Sequence, residues 1–143
     1  MDAFIDIAIG HRVQGLTNST EQFTQVYYNQ FDIDRKQLDF LYRENSMLTF
    51  ESTSVQGAKA IAEKLSSLPF QKVKHAISTL DAQPSGPNGE ILILVTGQLL
   101  LTRGEMQVDD EERAINYSQA FQLFPDGPGQ YYVFNDIFKL VFG

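Results

Sequence analysis

Leu65-Ser66-Ser67-Leu68-Pro69-Phe70-Gln71-Lys72-Val73-Lys74-His75-Ala76-Ile77 is where the hydrophobic period of this chain changes. Before it, apolar residues recur at helical spacing; after it, they alternate. Pro69 marks the boundary, because a proline pushes the residue before it out of helical geometry. Upstream, Ile61, Leu65 and Leu68 form the stripe of a helix that Gly57 introduces. Asp34 with Gln37 opens a shorter helix carrying Leu38, Leu41 and Tyr42. Asn18-Ser19-Thr20-Glu21 has capping-box spacing ahead of Phe23, Val26, Tyr27 and Phe31, so the first helix is expected to start there. Between the second and third helices, Met47-Leu48-Thr49-Phe50 reads as a short strand.

Downstream of Pro69 the period is two. Val73, His75, Ile77 and Thr79 alternate with Lys72, Lys74, Ala76 and Ser78. After the turn-forming Pro84-Ser85-Gly86-Pro87-Asn88-Gly89, the next strand is apolar on both faces, with Ile91, Ile93, Val95 and Leu99 on one and Leu92 and Leu94 on the other. Ile115, Tyr117, Phe121 and Leu123 share a face of a third strand despite Gln119. In the last strand Tyr132, Phe134, Phe138, Leu140 and Phe142 share a face with Asp136, and Val133, Ile137 and Val141 take the other. Helices followed by long antiparallel strands predict an α+β cone, with three N-terminal helices packed inside a strongly bent antiparallel sheet. The 11 Phe and 6 Tyr suit its tapered interior. A second apolar face of Leu92, Leu94, Val133 and Ile137 is then left over, which predicts a two-fold dimer through the open side of the sheet.

Composition narrows the function. The 143 residues make one domain, residues 1–143, and carry a formal net charge of −7 with no local basic cluster, which disfavours nucleic acid. There is no cysteine, and His11 and His75 lie far apart, so neither a metal nor another cofactor is expected. No apolar run is long enough to span a membrane, and the opening Met1-Asp2-Ala3-Phe4-Ile5-Asp6 lacks the features of a signal peptide, so a soluble intracellular chain is expected.

Three polar positions invite a chemical interpretation. Asp136 between Phe134 and Phe138 is either a carboxylate with raised pKa that moves a proton, or an acid satisfied by backbone or tyrosine hydrogen bonds. His75 has the same ambiguity, and with Tyr42 the three could form the pocket of a dehydratase or isomerase. Glu51 is either solvated surface or a charge on the rim of an apolar cavity, which would select a partner carrying a cation beside a hydrophobic plug. Asp109-Asp110-Glu111-Glu112 gains weight if the fold brings it near Glu51.

Longer runs carry a resemblance. Tyr27-Tyr28-Asn29-Gln30-Phe31-Asp32-Ile33-Asp34-Arg35, Ser46-Met47-Leu48-Thr49-Phe50-Glu51, Glu63-Lys64-Leu65-Ser66-Ser67-Leu68-Pro69-Phe70-Gln71-Lys72-Val73 and Tyr131-Tyr132-Val133-Phe134-Asn135-Asp136-Ile137-Phe138 resemble fungal members of the nuclear transport factor 2 family. The resemblance implies the same cone-shaped fold, no enzymatic activity, and a homodimer that binds the GTPase Ran in its GDP form and FxFG repeats of nucleoporins. It implies a protein of cytoplasm and nucleus, concentrated at the nuclear pore. Phe50, Leu68, Phe70, Val73, Leu99, Ile115 and Phe138 would line the Ran-binding cavity. Glu51, Asp109 and Glu111 would be its rim acids, and Leu94 and Ile137 would lie in the dimer interface. Leu16 stands where the family uses an aromatic residue against FxFG repeats. Residues 1–17 form an atypical N-terminal extension, and residues 101–108 lengthen a surface loop beside the rim by roughly eight residues. A dimeric scaffold without Ran binding is the alternative these departures raise.

Overall fold

The computed structural model describes residues 3–69, 72–102 and 113–142, with side chains from Ser19 onward apart from Thr102. Helix α1 spans Ala3–Asp34, a 3₁₀ segment follows at Arg35–Leu41, and α2 spans Ala58–Ser66. The strands are β1 (Tyr42–Phe50), β2 (Thr53–Gln56), β3 (Lys72–Pro84), β4 (Ile91–Thr102), β5 (Arg113–Pro125) and β6 (Tyr131–Val141). They form one sheet in the order β2-β1-β6-β5-β4-β3, with the inner residues of β3–β6 packed against α1. The α+β expectation holds, with three refinements.

The first concerns the helices. Asn18-Ser19-Thr20-Glu21 lies inside α1, so the first helix does not start there. A cap contributes about 1 kcal/mol, and a helix that continues on both sides overrides it. The buried face of α1 is Thr20, Thr24, Tyr27, Tyr28 and Phe31, while Val26 faces outward. Thr24 can be buried because its hydroxyl donates to the Thr20 carbonyl one turn back, at 2.9 Å. The expected second helix is a 3₁₀ segment capped by Asp34, whose carboxylate accepts from the Lys36 amide.

The second concerns the sheet, which is not purely antiparallel: β1 pairs parallel to β6. Between the Tyr42–Val133 and Met47–Asn135 pairs, four residues of β1, Arg43 to Ser46, stand against the single residue Phe134 of β6. Ser46 fills the gap, accepting from the Arg43 amide and donating to the Val133 carbonyl. The short strand β2, which the sequence analysis did not anticipate, joins β1 through Glu51-Ser52. Both residues have positive φ, the geometry of a two-residue hairpin loop. Without Asn-Gly or a similar pair, this loop carries no signal in the sequence.

The third concerns phase. An irregularity near Asn135 shifts β6 relative to β5, so Val133 points into the core with no exposure. It is therefore not part of the outer apolar patch. Phe134 is displaced to the outer face, where it stacks on Phe124 at 4.1 Å. A similar shift after Ile77 turns Leu80 and Ala82 inward on β3. Leu92, Leu94 and Ile137 remain outside as expected.

Gly97 shows how tightly the inner face is packed. A Cβ there would stand 2.3 Å from the Ala76 carbonyl oxygen and 3.0 Å from the Tyr117 ring. Both neighbours are held in the sheet, so Gly97→Ala must displace backbone. We expect a loss of roughly 2–3 kcal/mol, the upper range for overpacking, read as a lower urea midpoint with the m-value unchanged.

Candidate functional site

The inner face of the sheet carries a row of aromatic rings towards its β1–β6 end. Phe50 on β1 pairs with Phe138 on β6, and their rings stack at 4.6 Å, almost parallel. Phe138 stacks in turn on Tyr117, at 5.4 Å. On the neighbouring strands, His75, Leu99 and Ile115 stand in one cross-strand row, and Val73 lies two residues from His75 on the same face. Six of the seven residues expected to line a cavity thus lie among the described residues. Phe50, Val73, Leu99 and Phe138 are buried; Leu68 and Ile115 are half-buried. Phe70 lies outside the described residues.

Glu51 stands at the edge of this row, in the hairpin loop after Phe50. Its amide donates to the Phe138 carbonyl at 3.1 Å, and its Oε1 accepts from the Leu140 amide. One carboxylate oxygen therefore holds the loop against β6. Ser52, next in the loop, accepts from Lys139 Nζ at 3.3 Å. Two consecutive non-glycine residues at positive φ are costly, on the order of 1 kcal/mol or more each, and such geometry concentrates at functional positions. Asp109 and Glu111 lie outside the described residues, as does the 103–108 part of the expected insertion. Leu16 falls within α1, its side chain outside them.

Asp136 is buried and hydrogen-bonded by tyrosines, as one of its two interpretations expects. Its Oδ2 accepts from the hydroxyls of Tyr27 at 3.0 Å and Tyr42 at 2.7 Å, and its Oδ1 from Gln119 Nε2 at 2.8 Å. The Gln119 carbonyl accepts from the Tyr28 hydroxyl at 2.8 Å, which orients the amide. Burial pushes the Asp136 carboxyl up to about 6, against the opposing pull of its hydrogen bonds. Tyr42 thus joins Asp136 but not His75. His75 Nδ1 lies 2.6 Å from Asp32 Oδ1, its amide donates to Asp32 Oδ2 at 3.0 Å, and its ring stacks on Tyr28 at 4.2 Å. The pair ties α1 to edge strand β3. Among the described residues, no group of three His, Cys, Asp or Glu side chains could hold a metal ion, and no helix is long and apolar enough to cross a membrane.

Sequence reasoning missed Arg35. Its Nε donates to the Leu65 carbonyl at 2.7 Å and its Nη2 to the Leu68 carbonyl at 3.0 Å. These carbonyls lie at and just beyond the C-terminal end of α2, where the helix supplies few amide donors, so the guanidinium holds the corner carrying Leu68. Only the partner positions, 30 and 33 residues away, reveal the role. Arg35→Met keeps the stem and removes both bonds. We expect a loss of about 2–3 kcal/mol in urea unfolding, with faster amide exchange at Leu65–Leu68.

Comparison with known proteins bears on the same residues. The nuclear transport factor 2 domain matches residues 19–140. The chain is 62% identical over 119 residues to nuclear transport factor 2 of Debaryomyces hansenii, covering 83% of this chain and 90% of that one. To the Saccharomyces cerevisiae protein of the same name it is 59% identical over 120 residues, covering 84% and 90%. The solved structure of nuclear transport factor 2 from Cryptosporidium parvum superposes with a TM-score of 0.76 at 39% identity, covering 88% of this chain and 94% of that one.

Proposed function

This chain belongs to the nuclear transport factor 2 family and is a nuclear transport factor, not an enzyme; on that premise we propose that it is a homodimer that binds Ran-GDP and FxFG nucleoporins and carries Ran into the nucleus. The observation that carries this proposal is the Phe50–Phe138 stack beside Glu51: an apolar receptor with a carboxylate fixed at its edge. Such a site takes an apolar side chain of the partner into the ring-lined face while a neighbouring cation meets the rim acid, and the interaction is recognition without bond making. Phe50, Leu68, Phe70, Val73, Leu99, Ile115 and Phe138 would receive the plug, and Glu51, Asp109 and Glu111 the cations. Leu16 would contribute to FxFG contact. The protein would shuttle between cytoplasm and nucleus and concentrate at the nuclear pore.

Because Glu51 also accepts from the Leu140 amide, its charge and its structural bond need separate tests. Glu51→Gln retains an oxygen to accept that bond and removes the charge. The expected outcome by calorimetry is Ran-GDP binding weaker by about tenfold, roughly 1.4 kcal/mol, with an unchanged melting temperature. Equal affinity in both proteins would exclude Glu51 from the rim.

The dimer proposal draws on the outer face, where Leu94 and Ile137 are 48% and 55% exposed and share a cross-strand row through Ala120. Apolar area of this kind on a central part of a sheet favours an isologous contact with a second copy. Ile137→Asp places an unpaired carboxylate at both sides of that contact. Sedimentation should show a dimer for the wild-type chain at micromolar concentration and a monomer for the variant.

A further inference from the structure

Three oxygens at the centre of the fold lie within hydrogen-bonding distance of one another. Tyr27 Oη and Tyr42 Oη are 2.8 Å apart, and they lie 3.0 Å and 2.7 Å from Asp136 Oδ2. Three contacts of that length need three hydrogens. Each phenol brings one. With Asp136 ionised, both hydroxyls donate to the carboxylate and the Tyr27–Tyr42 contact sets lone pair against lone pair, or one phenol turns to the other and the carboxylate loses a donor.

A third hydrogen on Oδ2 resolves the conflict. The carboxyl O–H donates to Tyr27, Tyr27 donates to Tyr42 and Tyr42 donates back to Oδ2, or the ring runs in the opposite sense. Oδ1 then remains as a carbonyl oxygen accepting the Gln119 amide, a role it already fills. Closed rings of this kind reinforce each bond through the next. We propose that the Tyr27–Tyr42–Asp136 triangle is a proton-accepting lock: it takes up one proton on Asp136, and the closed ring tightens the hold of α1 and β1 on β6.

The surroundings favour the neutral form. The groups that face Asp136 are Tyr27 from α1, Tyr42 from β1 and Gln119 from β5. Behind Gln119 stands Tyr28, and the His75–Asp32 pair lies beyond the Tyr28 ring. The register neighbours Leu48 and Phe121 carry no charge, and Lys139 on β6 itself is exposed. Burial holds the Tyr27 and Tyr42 phenols well above their usual range, so both keep their protons. The carboxyl, pushed up to about 6 by burial, supplies the titrating proton. Its position gives the lock reach: on β6, Asp136 directly precedes Ile137, which points outward, and Phe138, which points into the ring-lined face.

The sign follows from linkage. The folded carboxyl binds its proton more tightly than the unfolded one. The stabilising contribution is therefore complete below the unfolded value of 3.8 and disappears as pH rises through about 6. Across that window the folding constant of the wild-type chain, relative to Asp136→Asn, should fall by about a hundredfold as pH rises.

The experiment is carbon NMR of the aspartate carboxyls in the full chain between pH 3 and pH 8, with urea unfolding of wild type and Asp136→Asn over the same range. An Asp136 signal titrating about two pH units above the exposed aspartates, with the wild-type advantage growing towards low pH, supports the lock. An Asp136 signal in the ordinary carboxylate range, or a stability difference independent of pH, overturns it. The NMR titration needs only the wild-type chain, so a poorly folding variant does not remove the test. Tyr27→Phe separates the ring from burial alone, because it leaves two oxygens and one phenolic proton, a balanced set for an ionised Asp136. The ring requires the titration midpoint to fall in that variant. A midpoint that rises, as loss of a donor to a merely buried carboxylate would give, overturns the proposal.

Discussion

A carboxylate taken out of water costs several kcal/mol unless its oxygens find donors, and the concave face of this sheet is organised around meeting that demand for Asp136. The donors come from three separate parts of the chain: Tyr27 in α1, Tyr42 at the start of β1 and Gln119 in β5. Each is itself anchored. Tyr27 packs edge-on to Phe121 at 4.9 Å, and Tyr28, one residue on, clamps the Gln119 amide from the other side. The network therefore sets both the rotation of α1 about its axis and its height along the cone. Apolar packing alone would permit neighbouring arrangements of similar area, whereas directional bonds to one carboxyl distinguish between them.

From that anchor the two faces of β6 follow. On β6, Asp136 fixes the phase of its neighbours, so Phe138 must face the rings and Ile137 must face outward. The Arg35 and His75–Asp32 contacts fix the opposite wall, tying the end of α2 and edge strand β3 to the helical layer. The surface proposed for recognition is thus assembled on strands and helix ends held by charged hydrogen bonds. Glu51, proposed for its rim, is held by a backbone amide of the same strand that carries Phe138. A preorganised receptor of this kind spends little ordering entropy on binding.

The local part of this architecture is legible residue by residue. The alternation of Ile91, Ile93 and Val95 against Leu92 and Leu94 correctly assigns the two faces of β4, because a strand in water-facing and core-facing environments must alternate. Ile61 and Leu65 likewise mark the buried side of α2, and Asp34 marks the start of the 3₁₀ segment. The residues proposed to line the binding site were suggested only through resemblance, since Phe50 and Phe138 stand 88 positions apart and neither has an unusual local context. Periodicity failed at the bulges. Val133 and Val26 sit on the faces opposite to those their local spacing suggests, because an irregularity in pairing shifts a strand's phase and the helix is turned by its polar bonds.

By itself, then, the order of residues determined the class of the fold, the long strands β3 to β6 and the outward position of Leu92, Leu94 and Ile137, all properties that depend on periods of two or 3.6 within a dozen residues. Tertiary structure alone decided which acids are structural, that β1 runs parallel to β6, that Arg35 ends α2, and that Asp136 meets two tyrosines across 94 and 109 positions of chain. These depend on hydrogen-bond partners that local spacing does not encode. A carboxylate between two phenylalanines has the same sequence signature whether it faces water, a substrate or a pair of phenols, and only the folded chain places its donors.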